Sequence, residues 1–183
     1  MPQYKKECMI SFMKEGILDT IENIDEFLSK CRTKQQRGLL LCLFLTGARP
    51  SELIELRGED VWKERDKIFV RIKTKKGGRM RIFPLPYKNK YVQMFWDYVN
   101  NLLPPQKLFW KFKSSVYVRQ FIYKVTDNKY TPYFFRHNRF TLMSMKGASP
   151  ELIKYLKGAK TLLSVEPYIH VSKHELSKAT KFL

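Results

Sequence analysis

LLLCLFLTGARPSELIEL, running from Leu39 to Leu56, contains the turn on which the rest of the chain can be placed. Leu39, Leu40, Leu43 and Phe44 repeat at helical spacing, and the run from Leu39 to Leu45 is apolar enough to read as a buried helix. Thr33 supplies a plausible N-cap for that helix. Thr46 and Gly47 stop it, and Pro50 restarts a helix at a first-turn position where a missing N–H costs nothing. Arg49 is thereby set on a corner between two helices.

Working outward, Ile21, Ile24, Phe27 and Leu28 form an apolar helical stripe on the N-terminal side. On the C-terminal side the period changes between Asp60 and Leu85. Ile68, Val70 and Ile72 alternate with Phe69, Arg71 and Lys73, and a second run holds Met80, Ile82, Phe83 and Leu85. Lys75, Lys76, Gly77 and Gly78 lie between them, which predicts a β-hairpin with a basic tip. Helical spacing then returns around Val92, Phe95, Trp96, Val99 and Leu102, ended by Pro104 and Pro105. A further helix is expected from Ser115 to Val125, and another from Thr131 to Met145 with Thr131 as N-cap and Pro132 in first position. One more opens at Ser149 and closes at Gly158, and the tail past Pro167 is amphipathic. The expected class is α+β, mainly helical with a small antiparallel sheet or hairpin.

A length of 183 residues suits one domain, 1–183, and 44% apolar residues suffice for a packed core. Against 17 Asp and Glu stand 35 Lys and Arg, a formal charge of +18, which implies a polyanionic partner. No apolar run approaches the roughly 20 residues needed to span a bilayer, and no signal-peptide pattern opens the chain, so nucleic acid in the cytoplasm is the expected partner and setting. Cys8, Cys31 and Cys42 are odd in number and widely spaced, fitting neither a disulfide framework nor a metal knuckle. His170 and His174 have zinc-compatible spacing but lack the intervening Glu of an HExxH helix, so no metal and no other cofactor is expected.

A phosphodiester transition state carries extra charge on its non-bridging oxygens, and a protein that works without metal must receive that charge on fixed cations. Arginine, with a planar fork, is the best donor. Arg49 sits on its corner, and Arg136 lies one turn inside the helix capped by Thr131, where Tyr133, Arg136 and His137 share a face at spacings of three and four. Taken singly, either arginine is an ordinary surface charge among 35 basic residues, and Tyr168 beside Pro167 is a half-buried core aromatic. Their joint pattern is what singles them out.

TGARPSELIEL (Thr46 to Leu56) resembles the first arginine box of the tyrosine recombinase, or phage-integrase, family. KKGGRMRIFPL (Lys75 to Leu85), YFFRH (Tyr133 to His137), LKGAK (Leu156 to Lys160) and PYIH (Pro167 to His170) are similar, in the same order, to its lysine hairpin, its His-x-x-Arg-His helix, its Gly-His element and its nucleophile. Tyr168 follows Ala159 by nine residues, as the family's tyrosine follows the last histidine. The similarity spans roughly residues 39–171.

The resemblance implies that Arg49 and Arg136 clamp a DNA phosphate, that Tyr168 attacks it to give a 3′-phosphotyrosine link, and that Lys76 protonates the departing 5′ oxygen, with Lys73 and Lys75 as competitors. Lys73, Lys75, Arg79 and Arg139 become DNA contacts. Glu52 falls at the family's acidic position and either braces a cation or merely complements its helix dipole. Two departures stand out: Tyr133 replaces the first histidine and Ala159 the second. Tyr133 can still donate a hydrogen bond, and a tyrosine there resembles the pattern among archaeal virus and plasmid integrases; Ala159 cannot, which brings Lys157 and Lys160 into consideration. The resemblance further implies a tetramer on DNA, with 172–183 as a candidate exchange helix, and about 30 residues ahead of the helix leading to Arg49 are too few for the family's N-terminal clamp domain. A type IB topoisomerase-like enzyme, relaxing DNA about one nick, and an inactive DNA-binding relative are the competing expectations.

Overall fold

The computed structural model describes residues 21–74 and 80–168. Lys75, Lys76 and Arg79 at the hairpin tip, Cys8, His170, His174 and the candidate exchange helix 172–183 lie outside the described residues. The elements in chain order are α1 (Asp25–Ser29), α2 (Lys34–Thr46), α3 (Pro50–Leu53), β1 (Val61–Glu64), β2 (Lys67–Lys73), β3 (Met80–Pro86), α4 (Lys90–Val99), α5 (Ser115–Val125), α6 (Pro132–Met145) and α7 (Pro150–Lys157), with 3-10 turns at Gly58–Asp60 and Leu162–Ser164. A mainly helical body with one antiparallel sheet in the order β1-β2-β3 results.

Helix α2 is the centre of the core. Every residue from Leu39 to Leu45 is buried, because α4 and α6 pack against it from different sides. The Thr33 side chain accepts from the Gln36 N–H while the Gln36 side chain accepts from the Thr33 N–H, a reciprocal cap that starts the helix. Gly47 ends it at φ 60, and its missing Cβ is required twice over: an added methyl would meet the Arg136 Cα and the Arg139 Cβ, each at 3.3 Å. The helix end that precedes Arg49 is thus pressed directly onto α6.

Three expectations from the sequence need correction. The stripe from Ile21 to Leu28 is helical only from Asp25; the Ile21 N–H donates to Asn138 Oδ1 at 2.7 Å and its carbonyl accepts from Asn138 Nδ2 at 2.9 Å, which ties this stretch to α6 as extended chain. The hairpin has a third strand, β1, joined to β2 through a tight turn in which Arg65 adopts φ 52. Its polar Lys63 and Glu64 hid it from a search for alternating apolar residues. The third helix of apolar spacing ends at Val99, before Leu102, with the Asn100 N–H closing on the Trp96 carbonyl.

The alternation of β3 also differs from the expected apolar run. Met80 and Ile82 face outward, while Arg81, Phe83 and Leu85 face inward. Helix α7 is moored to this strand by the Tyr155 hydroxyl, which accepts from the Ile82 N–H at 3.2 Å. Gly158 ends α7 at φ 60, where a Cβ would meet Arg81 Nη1 at 2.9 Å and Thr74 Cγ2 at 3.0 Å, so the sheet and the end of α7 converge on one arginine. Among the described residues no helix is long and apolar enough to cross a membrane.

Candidate active site

The corner after α2 and the first turn of α3 build an anion-seeking cluster around one carboxylate. Glu52 is buried and accepts from the Arg49 backbone N–H at 2.8 Å, from Arg49 Nη1 at 3.0 Å and, in a two-pronged pair, from Arg81 Nη1 at 3.2 Å and Nη2 at 2.6 Å. Arg81 is only 2% exposed. Burial alone would raise the Glu52 pKa, but the Arg81 hydrogen bonds and charge, followed by the Arg49 N–H and charge, outweigh it and hold the carboxyl below its usual range. Glu52 therefore pairs with two guanidinium groups and also, through the Arg49 N–H, caps the first turn of its own helix.

Arg136 reaches the same place from α6. Its Nη1 donates to the Gly47 carbonyl at 2.7 Å and its Nη2 to the Lys157 carbonyl, which pins the guanidinium between the Arg49 corner and the end of α7. Burial, then the charges of Arg49 and Arg81, lower its pKa to about 9 despite the opposing pull of Glu52. Two guanidinium groups thus pair with one carboxylate while the third, Arg136, stands beside them on backbone carbonyls, and the surplus positive charge suits a phosphate. Two carboxylate oxygens cannot neutralise three cations.

Replacing Glu52 by Gln preserves shape but removes the buried carboxylate paired with Arg81, and should destabilise the fold by about 3–5 kcal/mol in urea unfolding. Because the folded pKa of Glu52 is depressed, its contribution is present above the unfolded carboxyl pKa and lost as pH falls through the folded one. The wild-type protein should accordingly lose stability on acidification through that window, and the difference from Glu52→Gln should shrink. Equal stability at neutral pH would show that the pair is dispensable.

Tyr168 is held against the same helix, α6. The Ser144 hydroxyl of α6 donates to its carbonyl at 2.7 Å, its N–H donates to the Val165 carbonyl at 2.9 Å, and its ring meets Phe140 edge-on. The phenol oxygen lies 2.8 Å from His137 Nδ1. Burial first, then the neighbouring Lys157 and Arg136 charges, lower the His137 pKa to about 4, so the imidazole is neutral near pH 7 and able to accept a hydrogen bond from the phenol. Burial, with a further contribution from Tyr133, raises the Tyr168 pKa, and Arg136 opposes the rise. Lys157 Nζ stands 4.7 Å from the centre of the Tyr168 ring.

Most of the expected site residues within the described chain therefore converge: Arg49, Glu52, Arg136, His137, Lys157 and Tyr168. Tyr133 is 54% exposed and borders the group through its ring, 4.3 Å from that of His137. Lys160 is exposed just beyond α7, and Lys73 is exposed at the end of β2. Arg139 shares a cavity of about 300 Å³ with Leu142, Met143, Lys146, Gly147 and Ala148, its Nε buried without a hydrogen-bond partner. Arg81 is the residue that reading the sequence missed. Its signal was there: an arginine in the same alternation slot as Phe83 and Leu85 faces the core and must find a carboxylate.

The Phage integrase family model matches residues 14–175 of this chain. Tyrosine recombinase XerD of Staphylococcus epidermidis is 27% identical over 191 residues, an alignment covering 97% of this chain and 63% of that protein, and XerD of Staphylococcus aureus matches to the same extent. The chain thus spans less than two thirds of the length of these relatives. Among solved structures, the XerH site-specific recombinase in a post-cleavage complex with palindromic difH substrate is similar at a TM-score of 0.68 and 21% identity, over 90% of this chain and 53% of that one. The catalytic domain of bacteriophage HP1 integrase is similar at 0.57 and 20%, over 86% and 89%. With the family model spanning the corner at Arg49, the face of α6 and the Tyr168 segment alike, the chain belongs to the phage integrase family.

Proposed function

We propose that this chain cleaves and rejoins DNA strands as the catalytic domain of a tyrosine recombinase. The observation that carries the reading is the junction of a tyrosine with fixed cations: the Tyr168 hydroxyl contacts His137, next in sequence to Arg136, whose guanidinium is pinned to the corner where Arg49 and Arg81 share the single Glu52 carboxylate. The Tyr168 oxygen attacks phosphorus while the bond from phosphorus to the 5′ oxygen breaks. His137 Nδ1, 2.8 Å away, orients the phenol, whose proton passes to solvent as the new bond forms, and Lys76 of the hairpin tip supplies a proton to the departing 5′ oxygen. Arg49 and Arg136 take up the charge on the non-bridging oxygens, with Tyr133 as an exposed donor at the rim. The phosphotyrosine link conserves the energy of the broken bond, so attack by the partner strand's 5′ hydroxyl completes the exchange without ATP, metal or other cofactor.

The partner is double-stranded DNA, contacted by Lys73, Lys75, Arg79 and Arg139, in a tetramer formed on the DNA in the cytoplasm. XerH solved with its difH substrate and the Tn1549 transposon integrase solved with transposon end DNA support this reading by their likeness in fold. With so many lysines on phosphates, affinity should fall steeply and log-linearly with salt concentration. Salt-independent binding would contradict a phosphate-dominated interface.

The decisive test is a nicked duplex whose cleaved fragment diffuses away, trapping the intermediate. Denaturant-resistant protein–DNA adduct should accumulate, and mass spectrometry of the digested adduct should place the 3′ phosphate on Tyr168. Plasmid relaxation without recombinant products would favour the topoisomerase-like alternative.

A further inference from the structure

Beyond the arginines, a further cation lies against the Tyr168 ring. Lys157 is the last residue of α7, and its backbone carbonyl accepts from Arg136 Nη2, so the root of its side chain is fastened to the guanidinium. The side chain is half-buried and turns inward: Nζ sits over the Tyr168 ring at 4.7 Å and donates to the Ser164 carbonyl. An ammonium carries three protons, so this placement leaves it able to donate to an incoming anion. Ala159, two residues on, presents only a methyl group, and Lys160 is exposed.

We propose, on the reading of Tyr168 as nucleophile, that Lys157 is a third catalytic cation, donating from Nζ to a non-bridging oxygen of the phosphate that Tyr168 attacks. Its position over the tyrosine ring, with Arg136 tied to its own backbone carbonyl, holds the two donors together at the nucleophile. An ammonium held in a half-buried site adds more to transition-state stabilisation than one in water, because little solvent must reorganise as charge develops. The groups facing it are Arg136 and His137 on α6, Arg49 ahead of α3, and Tyr168 itself. Burial, then Arg136 and Arg49, bring the Lys157 pKa down to about 8, so the charged form begins to be lost just above neutrality.

Single-turnover cleavage of the nicked duplex tests this. Lys157→Met, which keeps the aliphatic stem on the phenol ring, should lower the cleavage rate on the order of 10²-fold with DNA affinity little changed. Lys157→Ala serves as the second truncation. Lys157→Arg should recover most of the rate and remove the decline that wild type shows above pH 8, since guanidinium stays charged there. Wild-type rates in both truncations, or the same alkaline decline in Lys157→Arg as in wild type, would overturn the assignment. If wild type itself forms no adduct, the nucleophile reading fails; if wild type reacts and Lys157→Met reacts equally fast, only the role of Lys157 falls.

Discussion

Tyr168→Phe should form no covalent DNA adduct on the nicked duplex while retaining DNA affinity within about twofold, since phosphate contacts come from cations and not from the phenol. The substitution removes one oxygen. That oxygen is 2.8 Å from His137 Nδ1, and its loss leaves a buried imidazole nitrogen unpaired beside an Nε2 that already has no hydrogen-bond partner. The stability cost should stay near 1 kcal/mol, because the ring keeps its contacts with Phe140 and Lys157 and the Ser144 bond goes to the backbone. Loss of the adduct in a well-folded, DNA-binding variant therefore isolates the nucleophile. Tyr168 is 1% exposed, so its uncovering must precede attack, and adduct should accumulate more slowly than DNA binds. An adduct that persists in Tyr168→Phe would move the chemistry to another residue.

Much of this arrangement was legible because local rules and the fold agree. Thr33, Gly47, Thr131, Ser149 and Gly158 mark helix ends by cap chemistry that needs no tertiary information, and each marks one in the structure. The shared face of Tyr133 with Arg136 and His137 follows from helical spacings of three and four alone. What the chain hid depends on long-range pairing. Arg81 is a core residue only because Glu52, 29 positions earlier, is buried opposite it, and periodicity can point to such a partner without naming it. Ile21 lies in extended chain because Asn138, 117 positions later, binds both of its backbone groups, a contact no helical stripe reveals. The proximity of His137 Nδ1 to the Tyr168 hydroxyl likewise depends on how the segment after α7 folds back onto α6.

Arg49→Ala and Arg136→Ala should each cut single-turnover cleavage by at least about 10²-fold, but they should separate sharply in stability. The Arg49 side chain is 44% exposed, and Glu52 keeps its two bonds to Arg81 when Arg49 is truncated, so the fold should lose little. Arg136 is different. Its guanidinium satisfies the carbonyls of Gly47 and Lys157 in a buried setting, and truncation should cost about 1–3 kcal/mol for each acceptor left unpaired in urea unfolding. Arg136→Lys keeps a charge but cannot span both carbonyls and a phosphate with one ammonium, so cleavage should remain far below wild type even where stability partly recovers. Cleavage assayed well below the unfolding midpoint distinguishes a missing transition-state contact from a loosened scaffold. If Arg49→Ala cleaves at the wild-type rate with its fold intact, the corner after α2 holds a surface charge braced by Glu52, and the phosphate must be bound elsewhere.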